Sequence, residues 1–250
     1  HRDLDGAARR VVGRRDDAFE RVRGLLGASE GPLASPYRLT RHVHGATRPS
    51  RLNIVLVSVE SLGSEFIGAL GNREGITPEL DRLTPASLFF TQIYATGNRT
   101  VRGLEALSLS IPPTPGQSIV KRPKNEGLFS LGALLEDEGY DAKFVYGGYG
   151  YFDNMGYFFA HNEYEVVDRS ALGRDEIHYE NIWGVADEDL FTLALREADR
   201  SAAGGEPFFL HVMTTSNHRP YTYPEGRIDI PSGTGRNGAV KYSDYAIGKF

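Results

Sequence analysis

Four apolar runs along the chain have the pattern of β-strands. Residues 52–59 read LNIVLVSV, a continuous run of aliphatic and β-branched side chains, and residues 88–94, 142–146 and 207–214 are also rich in aliphatic and aromatic side chains. Continuous apolar runs bounded by polar residues are typical of strands in the interior of a sheet. We therefore predict four strands and expect residues 52–59 to be buried on both faces.

Between these runs the apolar residues recur at helical spacing. One helix is predicted to begin at Thr77, because Pro78 then occupies the first helical position, where proline is tolerated. Further helices are predicted at residues 101–111, 128–138, 187–200 and 242–250, whereas residues 225–239 are predicted to be a polar loop. Strands that alternate with helices favour an α/β fold with a mostly parallel central sheet flanked by helices.

The composition excludes several classes of protein. Of the 250 residues, 40% are hydrophobic and 24% are charged, as in ordinary globular chains. The chain has no Cys, which excludes disulfides, thiolate metal sites and a cysteine nucleophile. A net charge of −5 disfavours nucleic acid as a partner. No apolar run approaches the ~18 residues of a membrane span, so we expect a soluble chain.

Charge is unevenly distributed along the chain. Residues 1–51 carry eleven Arg and six acidic residues, whereas residues 52–250 carry 17 basic and 27 acidic residues. Apolar residues at helical spacing among the first arginines predict a basic helix. This helix is either juxtamembrane, following a span upstream of residue 1, or a solvated face on the main domain, which the pattern favours. We predict a basic N-terminal helix and linker over residues 1–50, the linker at residues 31–36, and a catalytic domain over residues 51–250.

Two oxygen-bearing side chains follow the first two predicted strands. Glu60 directly follows residues 52–59, where a carboxylate either ends the strand or ligates a divalent cation. Thr100 stands at the start of a predicted helix, so its hydroxyl is either an N-cap or a nucleophile. In parallel sheets the reactive groups gather beyond the carboxyl ends of the strands. The helix N-terminus would also favour an incoming phosphate or sulfate.

Other polar residues flank these two positions. Arg99 and Arg102 either clamp anionic oxygens beside the Thr100 hydroxyl or are surface charges. After the last strand, His218 is either a structural histidine or, with Asn217 and Arg219 beside it, part of a polar patch in which the imidazole can contact an anionic oxygen or a leaving group. His211 lies within that strand and is predicted to be a core histidine. The chain lacks G-x-G-x-x-G after its first strand and lacks G-x-S-x-G, which disfavours a dinucleotide-binding fold and an α/β-hydrolase.

Five segments occur along the chain in an order that is characteristic of one family. They are NIVLVSVES (53–61), TPELDRL (77–83), NRTVRGLE (98–105), WGVADEDLF (183–191) and SNHRPY (216–221). Together they resemble the lipoteichoic acid synthase-like phosphoglycerol transferases of the alkaline phosphatase and sulfatase superfamily. The resemblance implies that Glu60 and Thr100 ligate a metal, Mn²⁺ or another divalent ion such as Mg²⁺ or Zn²⁺. It also implies that Thr100 is the nucleophile that becomes phosphorylated and that His218 contacts substrate.

The resemblance also implies partners and a location. The donor would be phosphatidylglycerol or another phosphoglycerol lipid, and the acceptor a glycan, polyol or polymer hydroxyl. Family members face the outside of the bacterial cytoplasmic membrane and usually carry N-terminal spans, which implies a membrane anchor upstream of residue 1.

The chain departs from the family pattern at three places. The family completes its metal site with an Asp-His pair on a later strand, and this chain has no Asp-His dipeptide, so we expect it to stop short of that strand. Phe152 and Asn154 stand where polymer synthases have a Trp and an Arg in their glycerol-phosphate pocket, so they are candidate substrate-binding residues. The sulfatase motif C/S-x-P-x-R is replaced by Thr100-Val-Arg-Gly, which disfavours sulfate-ester hydrolysis.

Two further functions stay open from the sequence. One is a phosphodiesterase or phosphoethanolamine transferase, which would share the metal-bound Thr. The other is a non-catalytic binding domain that keeps the fold and lacks a complete metal site.

Overall fold

The computed structural model describes residues 15–25, 50–112 and 114–250. By internal packing the chain divides into two units, residues 1–50 and 51–250, and each is described by itself. In the first unit, helix α1 spans Arg15–Leu25, within the segment of helical apolar spacing. The predicted linker at residues 31–36 lies outside the described residues. Among the described helices, none has the length and hydropathy that crossing a bilayer requires.

The second unit is built on a parallel sheet. Its strands, with a separate hairpin formed by β4 and β5, are β1 (Ile54–Ser58), β2 (Asp141–Tyr146), β3 (Glu165–Val167), β4 (Glu180–Asn181), β5 (Gly184–Val185) and β6 (Phe208–Met213). The sheet order is β1-β6-β2-β3, and every neighbouring pair is parallel. The predicted parallel sheet is therefore confirmed. The predicted strands at residues 52–59, 142–146 and 207–214 form close to their predicted bounds.

The helices of this unit are α2 (Pro78–Leu83), α3 (Thr100–Leu109), α4 (Leu131–Asp137), α5 (Met155–Ala160), α6 (Asp187–Gly204) and α7 (Arg236–Lys249). Helix α7 begins within the segment predicted to be a polar loop. Its first turns bury Ala239 and Val240, so a short apolar stretch among polar residues was enough for a packed helix. The N-terminus of α2 is capped from this helix, since the Asp244 carboxylate accepts hydrogen bonds from the backbone N–H groups of Glu79 and Leu80.

Buried side chains pack on both faces of the sheet. One cluster is largely aromatic and contains Phe144, Met155, Phe158, Phe159, Tyr164 and Phe209. The other is largely aliphatic and contains Val145, Leu190, Leu193, Ala194, Leu210 and Val212. Helices therefore cover both faces of the sheet, so that a functional site is expected at the strand ends rather than on a face.

Two expectations about the first half of the sheet were wrong. β1 is an edge strand of the described sheet, with Ile54 and Val55 partly exposed rather than buried on both faces. Residues 88–94 form no strand, and Leu88 and Tyr94 are each 82% exposed. A strand exists only by pairing, and no described strand pairs with this segment. Its apolar composition was therefore not sufficient.

Candidate active site

Hydrogen bonds from side chains link the segment that follows β1 to the segment that follows β6. The Glu60 backbone N–H donates to Thr214 Oγ1 at 2.9 Å, and Asn217 Nδ2 donates to the Glu60 carbonyl oxygen at 2.9 Å. Ser61 has a left-handed φ of 52°, and its hydroxyl donates to Glu60 Oε1 at 2.9 Å. Both the backbone and the carboxylate of Glu60 are thus held in place.

Thr100 contacts the other oxygen of that carboxylate. The Thr100 hydroxyl donates to Glu60 Oε2, with an Oγ1–Oε2 distance of 2.9 Å. Thr100 is the first residue of α3, and Arg99 occupies the N-cap position without a side-chain cap. The hydroxyl therefore does not act as an N-cap. It lies at the positive end of the helix dipole, which favours negative charge on a bound group.

A cavity of about 210 Å³ opens in front of this pair. Its walls include Arg99, Phe152 and His218 in addition to Glu60 and Thr100. The structure therefore brings together five of the residues that the sequence singled out. Asn217 is buried behind Glu60 and supports its carbonyl oxygen rather than lining the cavity.

The cavity is also lined by residues that were not predicted as site residues, among them Tyr146, Asp153 and Trp183. Burial, with smaller contributions from the charges of Glu60, Asp153 and Asp168, raises the pKa of Tyr146, so its phenol stays protonated. Tyr146 ends β2, and only the strand order reveals that it lies beside the loops after β1 and β6.

Trp183 forms one wall of the cavity. Its indole N–H donates to the Arg219 carbonyl oxygen, and its ring centroid lies 3.8 Å from that of His218 and 5.5 Å from that of Phe152. The β4–β5 hairpin that carries it packs closely on Gly147. A Cβ atom at Gly184, where φ is 146°, would lie 2.1 Å from the Gly147 carbonyl oxygen. The signal available in the sequence was a single Trp inside a recognised motif.

Asp187 fixes the loop that follows β6. Its Oδ1 accepts from the backbone N–H groups of Thr215 and Ser216 at 3.0 Å, and its Oδ2 accepts from the Ser243 hydroxyl at 2.6 Å. Burial raises the pKa of Asp187, while these donors act to lower it. The loop is therefore anchored from α6 and α7, which holds Asn217 and His218 in place.

Two predicted site residues lie elsewhere. Arg102 pairs with Glu105 at 2.7 Å and donates to the carbonyl oxygens of Thr114 and Gly116, so it does not line the cavity. Residues two apart on a helix point in different directions, which separates Arg102 from Thr100. Asn154 Nδ2 donates to the Val120 carbonyl oxygen at 2.8 Å and lines a neighbouring groove instead.

A second cavity of about 520 Å³ adjoins Glu60 and Thr100 on the β1 side. Its walls come from the end of β1 and the loop after it, from the loop before α3 and from the first turns of α3, and Arg236 is also part of the lining. The carboxylate–hydroxyl pair thus lies between two cavities.

Two side chains of the site present oxygen atoms of the kind that a divalent cation binds. Glu60 and Thr100 offer two oxygen atoms in one place, and oxygen donors suit Mg²⁺ and Mn²⁺. Within the described ranges, no group of three or more His, Cys, Asp or Glu side chains is placed to hold an ion. The pair therefore offers two of the oxygen donors that a divalent cation would need.

Comparison with known proteins gives a consistent family. The sulfatase family model matches residues 52–250. Phosphoglycerol transferase I of Xanthomonas campestris pv. campestris (strain B100) is 27% identical over 216 residues, which cover 80% of this chain and 30% of the relative. Lipoteichoic acid synthase 1 of Bacillus subtilis (strain 168) is 26% identical over 213 residues, which cover 79% and 33%. The chain thus spans about a third of the length of these curated relatives.

A solved structure has the same fold. The crystal structure of a protein in the alkaline phosphatase superfamily from Vibrio parahaemolyticus superimposes with a TM-score of 0.84 and 39% sequence identity, covering 97% of this chain and 60% of that chain. The predicted fold class and the resemblance to phosphoglycerol transferases and lipoteichoic acid synthases are both confirmed.

Proposed function

Because this chain belongs to the sulfatase family, we propose that it is the catalytic part of a metal-dependent phosphoglycerol transferase. The observation that carries the proposal is the 2.9 Å hydrogen bond from Thr100 Oγ1 to Glu60 Oε2 at the N-terminus of α3. A hydroxyl that is held by a carboxylate and faces a cavity is positioned for nucleophilic attack.

The reaction has two displacements at phosphorus. In the first, the Thr100 hydroxyl loses its proton as Oγ bonds to the phosphorus of a phosphoglycerol lipid, the bond from phosphorus to the diacylglycerol oxygen breaks, and that oxygen takes up a proton. In the second, an acceptor hydroxyl loses its proton and attacks the phosphothreonine, and Thr100 regains a hydroxyl. Protons gained and lost balance over the cycle. Arg99 and the first N–H groups of α3 would stabilise the charged phosphoryl oxygens.

Enzymes of this superfamily depend on metal ions, and Glu60 with Thr100 would hold the ion here. A divalent cation such as Mn²⁺, Mg²⁺ or Zn²⁺, when bound, would supply positive charge beside the Thr100 oxygen and the phosphoryl group. His218 lies across the cavity and would donate a hydrogen bond to the diacylglycerol oxygen as it leaves. Phe152 and Trp183 would hold the glycerol moiety against their ring faces.

The same proposal names the partners and the location. The donor is phosphatidylglycerol or a related lipid, and the acceptor is a hydroxyl of a glycan, polyol or polymer. A lipid donor places the reaction at a membrane, and we propose the extracytoplasmic face of the bacterial cytoplasmic membrane, with an anchor upstream of residue 1.

The covalent intermediate tests the proposal directly. Purified protein is incubated with Mn²⁺ and vesicles of phosphatidylglycerol, quenched in acid and cut after glutamate, which releases residues 80–105 as one peptide. We expect this peptide to gain the mass of one phosphoglycerol at Thr100. Vesicles of phosphatidylethanolamine form a second arm, and an adduct found only there would assign the donor class to a phosphoethanolamine transferase instead.

Two variants make the result specific. Thr100→Ala should abolish the adduct and turnover while leaving folding nearly unchanged. Thr96→Ala removes an exposed hydroxyl from the same peptide and should behave like the parent protein. Turnover retained by Thr100→Ala would refute the nucleophile assignment.

Metal analysis separates the enzyme from a binding domain. We expect a stoichiometric divalent ion in the purified protein and its loss in Glu60→Gln. A parent protein without metal and without adduct would support the non-catalytic function.

A further inference from the structure

Large side chains, most of them exposed and Trp183 half-buried, stand at the mouth of the cavity. We call Tyr149, Tyr151, Phe152, Ile182 and Trp183 the aromatic rim. Tyr151 is 82% and Ile182 is 83% exposed, and the Tyr149 and Tyr151 rings stack at 5.6 Å. Phe152 and Trp183 join the rim to the cavity wall. Exposed apolar side chains that are grouped beside a cavity indicate an interaction surface.

A basic groove of about 820 Å³ lies next to the rim, and its cations are Lys121, Arg122 and Lys124. Lys121 pairs with Asp153. Arg122 donates only to neutral oxygens, those of Gln117, Thr114 and Pro115, and the Lys124 ammonium has no hydrogen-bond or ion-pair partner among the described residues. The groove also contains two carboxylates, Asp153 and Glu126, and the Glu126 carboxylate accepts from the Tyr157 hydroxyl. Its three cations therefore leave an excess of one positive charge in a region, residues 52–250, that has 27 acidic and 17 basic residues.

One short loop connects the two features with the cavity. Residues 149–152 contribute to the rim, Asp153 lines both the groove and the cavity, and Asn154 lines the groove. Asp153 and Asn154 both have left-handed backbones, with φ of 51° and 64°. The loop therefore turns sharply between its apolar and basic sides.

We propose that the aromatic rim and the basic groove dock on an anionic phospholipid bilayer, so that the cavity opens onto the membrane surface. The inference rests on the proposed function, since it explains how the Thr100 hydroxyl would reach a lipid donor. Tyr and Trp side chains settle at the boundary between headgroups and acyl chains, and Lys and Arg are attracted to anionic headgroups. A bilayer with anionic lipids offers both chemistries side by side, as the rim and groove do.

The test uses the single tryptophan of the chain. Because Trp183 is the only Trp, its fluorescence reports on the rim alone. We expect vesicles of phosphatidylglycerol and phosphatidylcholine to shift the emission to shorter wavelength, and lipids brominated on their acyl chains to quench it. Pure phosphatidylcholine should bind at least about fivefold more weakly, since each basic residue near an anionic surface contributes appreciably. Free glycerol 1-phosphate serves as the control that separates headgroup binding in the cavity from docking, because it resembles a headgroup but offers no bilayer.

Matched variants assign the effect to the surface. The double variant Tyr151→Ser/Ile182→Ser, the rim variant, should bind vesicles about tenfold or more weakly in a sedimentation assay. Lys124→Gln should bind them about fivefold more weakly. Ile93→Ser and Lys249→Gln remove an exposed apolar residue and a cation elsewhere and should bind like the parent. Unchanged binding by the rim variant, or the same quenching and binding without anionic lipid, would overturn the proposal.

A soluble substrate separates this inference from the proposed function. A water-soluble phosphodiester needs no membrane, so its cleavage should be equal in the parent and in Tyr151→Ser/Ile182→Ser. Loss of that cleavage in the rim variant would make these residues part of the substrate site and would contradict docking. Vesicle binding by a parent that forms no Thr100 adduct would refute the proposed function and leave docking supported.

Discussion

Two polar clusters on the same sheet differ in how their charges are neutralised. Around Lys143, which is only 2% exposed, the ammonium contacts the carboxylates of Glu165 at 2.8 Å, Asp141 at 3.2 Å and Glu197 at 3.4 Å. Arg200 pairs with Glu165 and Glu197 in turn. Burial alone would lower the pKa of Lys143, but the carboxylates beside it raise that pKa above its ordinary value.

The cluster at Glu60 is left incomplete. Its carboxylate accepts hydrogen bonds from two hydroxyls, those of Ser61 and Thr100, and makes no ion pair within the described ranges. Arg99 likewise has no carboxylate partner there. Charges whose partners are all inside the fold serve stability, whereas charges left for an incoming group indicate a site. The comparison predicts opposite responses to mutation.

The largest effect is expected at Glu60. Glu60→Gln removes the charge but keeps the size, so we expect turnover to fall at least about 10³-fold. The free energy of unfolding should change by less than about 1 kcal/mol, because no ion pair is broken. Steady-state transfer of phosphoglycerol and urea unfolding measure the two quantities. A large loss of stability would place Glu60 with the structural cluster.

Lys143 should give the reverse result. Lys143→Met leaves three carboxylates close together without their shared cation, and breaking a buried ion pair costs about 3–5 kcal/mol. We expect the urea midpoint to fall accordingly, while the turnover of each folded molecule stays that of the parent. Reduced turnover at full stability would mean that the cluster acts on the site and would end the comparison.

Much of the fold was predictable because buried strands carry a local signal. β1, β2 and β6 are rich in aliphatic and aromatic residues, although β1 is a partly exposed edge strand, and chain order with intervening helices implies that they are parallel. Residues 88–94 have the same composition and form no strand, since pairing depends on a neighbour that composition does not reveal.

The site was predictable where a strand end determined it. Glu60 and His218 follow strands and Thr100 begins a helix, so the general position of reactive groups in parallel sheets was enough to bring them together. Trp183 and Asp187 act across the fold, through a hairpin packed on Gly147 and a loop anchored by α6, and proximity in sequence gave no indication of either.

A pH prediction concerns the core beneath the site. His211 is fully buried, its Nε2 lies 2.8 Å from the Ser58 hydroxyl, and its ring contacts Phe144 and Phe159 edge-on. Burial lowers the pKa of His211 from 6.5 to about 4. Between these values the unfolded chain binds the proton that the folded chain rejects, so stability falls as the pH decreases through this window.

The variant His211→Gln isolates this contribution. Between pH 7 and pH 4.5, His211 should lower the free energy of unfolding of the parent by about 2–3 kcal/mol. The variant should not show this contribution. Urea unfolding at both pH values gives the difference. Equal acid sensitivity in the two proteins would show that other groups, such as the carboxylates around Lys143, account for it.

The smallest effect concerns two buried asparagines, one with a fully hydrogen-bonded side chain and one with an incompletely hydrogen-bonded side chain. Asn162 is fully engaged, donating to the carbonyl oxygens of Asn125 and Phe158 and accepting from the Leu128 N–H. Asn217 donates to the Glu60 carbonyl oxygen, while its own Oδ1 has no partner in the described part of the chain. Asn162→Ala orphans several buried groups, so we expect a loss of about 2 kcal/mol in stability and no change in turnover.

Asn217→Ala should instead lower kcat about tenfold with KM unchanged, because Asn217 positions the segment that carries Glu60 and does not touch substrate. Its stability should fall by only about 1 kcal/mol, since one hydrogen bond is lost. Kinetics at saturating donor measure the effect on kcat, and urea unfolding measures the effect on stability, in both variants. If Asn217→Ala lost stability as Asn162→Ala does and kept its kcat, the unpartnered amide oxygen would be an ordinary packing defect, and incomplete pairing would no longer mark the site.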